Sequence, residues 1–130
     1  MNRIEEIKAK LRNYPELHIK SDKKSIQVLP NSADGFSVEF AINPGGGYLV
    51  SFEGWHENFE DETEALNAFA FGLSNKCRLK EYRRGRFAYK WTVEFFEKGQ
   101  WIEESTTGLF LFPFWKKPTV RYLHNSLILE

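Results

Sequence analysis

Trp55-His56-Glu57, followed by Glu60 and Asp61, sets an imidazole beside a run of carboxylates. These are the residue types from which a general base or a nitrogen and oxygen metal site is built, with His56 taking the proton and Asp61 orienting the ring. The spacing has no pair of ligands at i and i+4 such as HExxH, and acids are ordinary in a helix's first turn. The same residues therefore read more readily as a loop histidine beside helix-capping carboxylates. His18 and His124 lie too far along the chain to complete a cluster from sequence. Neither a metal nor a cofactor is implied.

Other candidates for chemistry are weaker. Asn43-Pro44-Gly45-Gly46-Gly47 resembles a phosphate loop in glycine content, but it lacks GK[ST] and runs into a strand rather than a helix N-terminus. It reads as a hairpin turn. Cys77 is the only cysteine, which excludes an intrachain disulfide, and its place on the apolar side of a strand predicts an inert core thiol. Ser105-Thr106-Thr107-Gly108 offers hydroxyls without a GxSxG elbow, so cross-strand hydrogen bonding is the expectation.

Charge is segregated along the chain. Glu53, Glu57, Glu60, Asp61, Glu62 and Glu64 form an acidic stretch without Lys or Arg. Lys76, Arg78, Lys80, Arg83, Arg84, Arg86 and Lys90 follow it, with Glu81 alone opposing them. Tyr82, Phe87, Tyr89 and Trp91 interleave with the bases as on a single-strand nucleic-acid face. The core needs those same aromatics, which leaves the bases as a solvated outer face. Phe110-Leu111-Phe112-Pro113-Phe114-Trp115-Lys116-Lys117-Pro118 carries more large apolar side chains than one sheet face can hide. Either both faces of this segment are buried or Phe110, Phe112, Phe114 and Trp115 belong to a partner surface.

The elements that position these residues follow from periodicity. Asn2 with Glu5, then Ile4, Ile7 and Leu11, predicts a short capped helix that stops before Pro15. Ile26 and Val28, then Phe36 to Ile42, then Tyr48 to Phe52, alternate as three strands. Asp61 caps a second helix whose stripe is Ala65, Leu66, Phe69, Ala70 and Leu73. Four strands come after it: Cys77 to Lys80, Phe87 to Phe95, Trp101 to Phe112 and Thr119 to Leu123. At Lys98-Gly99 a type I turn with a G1 bulge spares Lys98 a positive φ, which costs about 1 to 2 kcal/mol, and pairs Phe95 with Trp101 and Phe87 with Leu109. The expected fold is α+β in two layers: one antiparallel sheet of about seven strands with two helices on one face, in the order α, β3, α, β4.

Size and balance bound the function. The 130 residues are expected to form one domain, 1–130. Eighteen bases against 18 acids give zero formal net charge, which argues against a dedicated DNA or RNA binder. The aromatic fraction of 16% is large enough to furnish both a core and a binding face. No run of about 20 apolar residues and no signal-peptide core is present, so a cytoplasmic protein without a membrane association is expected.

The segment Trp55-His56-Glu57-Asn58-Phe59-Glu60-Asp61-Glu62, continued by Glu64-Ala65-Leu66 and Phe69-Ala70-Phe71-Gly72-Leu73-Ser74, resembles a small uncharacterised bacterial protein family. The similarity extends through Ser105-Thr106-Thr107-Gly108 to Phe112-Pro113-Phe114-Trp115. It implies a bacterial cytoplasmic protein and carries over no functional residue. The element order also has a loose likeness to small secretion-chaperone folds. The leading expectation is a non-enzymatic protein-interaction module (adaptor, immunity-type or chaperone-like) that binds a protein partner or itself. The alternative is a small-ligand binder or enzyme using Trp55, His56, Glu57 and Asp61. A convergent polar pocket around His56 would favour the alternative, and an apolar patch at Trp115 the first.

Overall fold

The computed structural model describes residues 2–109, 111 and 113–125. Asn2 accepts the Glu5 backbone N–H at 2.9 Å and opens α1 (Arg3–Leu11), whose Ile4, Ile7 and Leu11 are buried. Five strands then form a continuous antiparallel meander: β1 (His18–Ser21), β2 (Ser25–Leu29), β3 (Val38–Ile42), β4 (Tyr48–Phe52) and β5 (Trp55–Phe59). Asp61 accepts the Glu64 N–H at 3.0 Å and starts α2 (Glu62–Leu73). The second sheet, in the order β8-β7-β6-β9, comprises β6 (Cys77–Arg84), β7 (Phe87–Glu97), β8 (Gln100–Gly108) and β9 (Pro118–His124). Among the described residues no helix is long and apolar enough to cross a membrane.

The α+β class and the antiparallel pairing agree with the sequence expectation, whereas the layout differs. Among the described residues nine strands in two sheets replace one sheet of about seven. β1 is an edge strand on which only Ile19 is even half-buried, so it carries no apolar alternation to read. Asp22 closes its hairpin by accepting the Lys24 and Ser25 N–H groups, both at 2.8 Å. β5 takes in Trp55-His56-Glu57, expected as a loop, because Trp55 and Phe59 supply the inward positions on either side of Glu57.

Both helices cover the face of the first sheet that presents Ile26, Val28, Val38, Phe40, Val50 and Phe52. The stripe of α2 is rotated from its expected position. Ala65, Phe69, Gly72 and Leu73 are buried, while Leu66 is half-buried in a cleft between α1 and α2. Gly72 is the cause, since a Cβ there would lie 2.3 Å from the Phe52 ring and would push the helix off the sheet. One continuous cluster of buried side chains joins the first sheet and both helices to Cys77, Leu79, Trp91, Val93 and Leu123 of the second sheet.

The β7–β8 hairpin corrects the expected turn. Lys98 and Gly99 both have positive φ, 52° and 77°, as a two-residue type I′ turn requires. Phe96 pairs with Trp101 and Phe95 with Ile102, not Phe95 with Trp101. The twist of a primed turn matches that of the strands, and the Phe96–Trp101 rings meet edge to face at 5.2 Å; together these outweigh the strain at Lys98. The ladder shifts instead between Val93 and Glu94, where Glu104 is the extra residue on β8. A second shift lies between Tyr82 and Arg83, with Tyr89 extra on β7. It turns Phe87 out to solvent on the face of Arg84, so Phe87 does not face Leu109 in the core.

Two stability predictions follow from this geometry. Lys98→Asn supplies the residue that tolerates positive φ best beside Gly99 and should raise stability by about 0.5 to 1 kcal/mol in urea denaturation. Asn125 is buried and bonds Phe36 N, Phe36 O and Gly72 O at 3.0, 3.0 and 3.2 Å. Asn125→Ala strands three backbone groups and should lower stability by roughly 3 kcal/mol, read as a lower urea midpoint at unchanged slope.

Candidate functional site

The four residues of the proposed ligand site are not brought together. Alternation along β5 sends Trp55 and Glu57 to one face and His56 to the other. Trp55 is buried, stacks on Phe52 at 4.6 Å and donates from Nε1 to Ser105 Oγ at 3.1 Å. His56 is exposed, and Asp61 is spent on capping α2. Among the described residues no three His, Cys, Asp or Glu side chains are placed to hold a metal ion.

Ser105, Thr106 and Thr107 knit the structure, and two of them do so between sheets. Thr106 bonds Thr92 across the β7–β8 ladder at 2.8 Å. Thr107 Oγ1 accepts from the His56 N–H at 3.3 Å and donates to the His56 carbonyl at 3.2 Å, so it satisfies the outer edge of β5 where a further strand would pair. Cys77 is fully buried, and burial, reinforced by the charge of Glu104, pushes its thiol far up from the ordinary range. It is inert as a nucleophile at neutral pH. A third polar cluster ties α1 to α2: Arg3 donates to Glu62, which also accepts from the Tyr48 hydroxyl at 3.1 Å. The Arg3 hydrogen bond holds the Glu62 carboxyl below the usual range, and the Glu62 carboxylate pushes the Tyr48 hydroxyl up.

Beside the β5–β8 junction an apolar groove of about 500 Å³ opens between α2 and the inner face of the second sheet. Its walls include Trp55, Phe59, Ala68, Phe71, Val93 and Phe95, and among the described residues its polar lining is Glu57, Glu104 and Asn67, with no base. Glu104 is the bulge residue of β8, and re-aiming one side chain is what a bulge does.

The basic run proves to share its face with aromatics after all. Trp91 and Val93 face the core as expected, but β8 and β9 contribute Trp101 and Tyr122 to the outer face. The Arg78 guanidinium lies 4.5 Å from the Trp101 ring and 4.1 Å from the Tyr122 ring, and it pairs with the buried carboxylate of Glu94. Lys80 and Lys90 approach the Tyr82 ring at 5.0 and 4.1 Å, and Lys80 also reaches Glu103 at 3.4 Å. Sequence periodicity missed Trp101 and Tyr122 as partners of Arg78, because each comes from a different strand and only the register aligns them.

The end of the second sheet presents a different surface. Between Leu109 and Pro118 the chain crosses from one edge of the sheet to the other. Leu111, Phe114 and Trp115 are 84%, 71% and 72% exposed, with the last two rings edge to face at 5.3 Å. Phe110 and Phe112 lie outside the described residues. The turn at 113–117 is fixed rather than loose: Lys116 N–H bonds Pro113 O at 3.0 Å, Gly85 N–H bonds Lys117 O at 3.3 Å, and Arg84 donates to the carbonyls of Phe114 and Lys116 at 3.4 and 3.3 Å. Arg84, Arg86, Lys116 and Lys117 surround it. Residues 82–90 and 113–121 contain no acid, so among the described residues this end of the second sheet is apolar and positive.

The chain matches no family model, and no curated protein or solved structure matches it. Geometry alone therefore separates the candidates. With His56 turned away from Glu57 and Asp61, calorimetric titration with zinc, manganese or nickel should reveal no micromolar site that His56→Ala removes.

Proposed function

We propose that this chain is a non-enzymatic protein-interaction module, of the adaptor, immunity-type or chaperone-like kind, that docks through the turn around Phe114 and Trp115. The observation that carries the reading is the exposure of Leu111, Phe114 and Trp115 on a turn pinned by backbone hydrogen bonds. Apolar side chains on a rigid support lose little entropy on binding, and aromatic anchors ringed by charge are the usual build of a binding hot spot. Trp, Phe and Arg at such a centre fit a protein partner. The outer face of the second sheet is a poorer nucleic-acid surface, since Glu94 and Glu103 stand among its bases and neutralise them.

A second reading rests on the groove beside Trp55 and Glu57. Its volume of about 500 Å³ is that of a small-ligand site, and its two carboxylates favour a cationic amphiphile. It holds no nucleophile paired with a base, which fits binding rather than turnover.

A photo-crosslinking amino acid at position 115 tests the leading reading, with the same group at exposed Lys23 as control. Crosslinks to protein are expected from position 115 only, and Trp115→Ala should move the thermal midpoint by less than about 2 °C. Loss of folding in Trp115→Ala, or equal labelling from both positions, would remove the turn as a docking surface.

A further inference from the structure

The apolar turn and the apolar groove carry opposite charge, and we infer that they are the two halves of one contact: the turn around Trp115 seats in the groove of a second copy of this chain. The inference rests on the interaction reading above and names the partner. Phe114 and Trp115 stand out with Lys116 and Lys117 beside them. The groove brings Phe71 and Phe95 together with Glu57 and Glu104, with no base among the described residues that line it. The two halves are complementary: the groove offers apolar walls with anions, and the turn offers apolar side chains with cations.

A chain cannot fill its own groove. The turn is held at the Gly85 end of the β6–β7 hairpin, while Val93 and Phe95 line the groove further along β7. From Phe87 to Val93 a strand advances on the order of 20 Å. Two copies side by side and antiparallel bring each turn to the other's groove, a reciprocal contact that closes as a two-fold dimer instead of growing into a fibre. The groove is roomy enough, since about 500 Å³ is in the range that receives a drug-sized ligand or a pair of side chains.

Charge exchange distinguishes this contact from any other. One variant carries Glu57→Lys with Glu104→Lys, so that turn and groove are both basic; the other carries Lys116→Glu with Lys117→Glu, so that both are acidic. Light scattering at about 100 µM should show the wild type as a dimer and each variant alone as a monomer, its dissociation constant raised at least roughly tenfold. Mixing the variants should restore the dimer mass, because each contact then joins opposite charges, basic turn to acidic groove in one and acidic turn to basic groove in the other, and the restoration itself shows that each variant is folded. A monomeric wild type overturns the inference, and does so without touching the broader reading if the crosslinker at position 115 still captures another protein. A dimer that survives in either variant, or a mixture that stays monomeric, also overturns it, leaving the groove to a small ligand.

Discussion

Asn125 is the constraint on which the relation of the two sheets depends. Its side-chain amide bonds both the N–H and the carbonyl of Phe36, as a neighbouring strand would, and its second N–H takes Gly72 O from the last turn of α2. A helix end leaves carbonyls without intrahelical partners, and a buried loop leaves both kinds of group unpaired, so one amide settles both debts of hydrogen bonding at a point where water is excluded. The backbone joins in: His124 N–H bonds Asp34 O at 2.7 Å. Gly35 is required beside it, since a Cβ at that position would stand 2.8 Å from Asn125 Oδ1 and 2.9 Å from the Pro30 side chain. Asn125 lies 89 positions from Phe36 and 53 from Gly72, so this junction is a long-range tie between the end of β9, the segment before β3 and the end of α2.

The opposite margin of the junction is held by hydroxyls. Ser105 receives the indole N–H of Trp55, and Thr107 covers the edge of β5 through the backbone of His56. The β8 bulge at Glu104 lies next to Ser105 in sequence, and it changes which face the following residues use. Groove and junction therefore have one origin. Without the bulge Glu104 would stand opposite Val93 and Ser105 would turn to the outer face, away from Trp55.

These shifts also explain what was legible in the sequence. Strong local signals came through: the Asn2 and Asp61 caps, the alternation in β2 to β4, the inert Cys77 and the bonding role of Ser105 to Thr107. Features made by long-range register did not. Phe87 continues the apolar alternation of β7 in the sequence, yet the extra residue at Tyr89 turns it outward. Trp55-His56-Glu57 looked like one chemical unit because its members are adjacent, and a strand separates adjacent residues by design. Asn125 gave no signal at all, being a lone amide whose partners lie far away in the chain. For the aromatic segment the sequence left burial and exposure open, and the hydrogen bonds from Gly85 and Arg84 are what decide it for Phe114 and Trp115.

Zero net charge conceals two fields of opposite sign. Glu57, Glu60, Asp61, Glu62 and Glu64 run from β5 into the start of α2, and Arg84, Arg86 and Lys116 gather at the far end of the second sheet. Within the outer face the bases are answered locally, Arg78 by Glu94 and Lys80 by Glu103, and on the inner face Arg83 is answered by Glu81. Around the turn Arg84 donates to the carbonyl oxygens of Phe114 and Lys116, which orients the chain there. Screening confines such fields to about 8 Å at physiological ionic strength, so the charges act as a rim around apolar contacts rather than as distant attraction. A positive rim around exposed aromatics and a negative rim around an apolar groove make orientation selective, while the apolar area supplies the affinity.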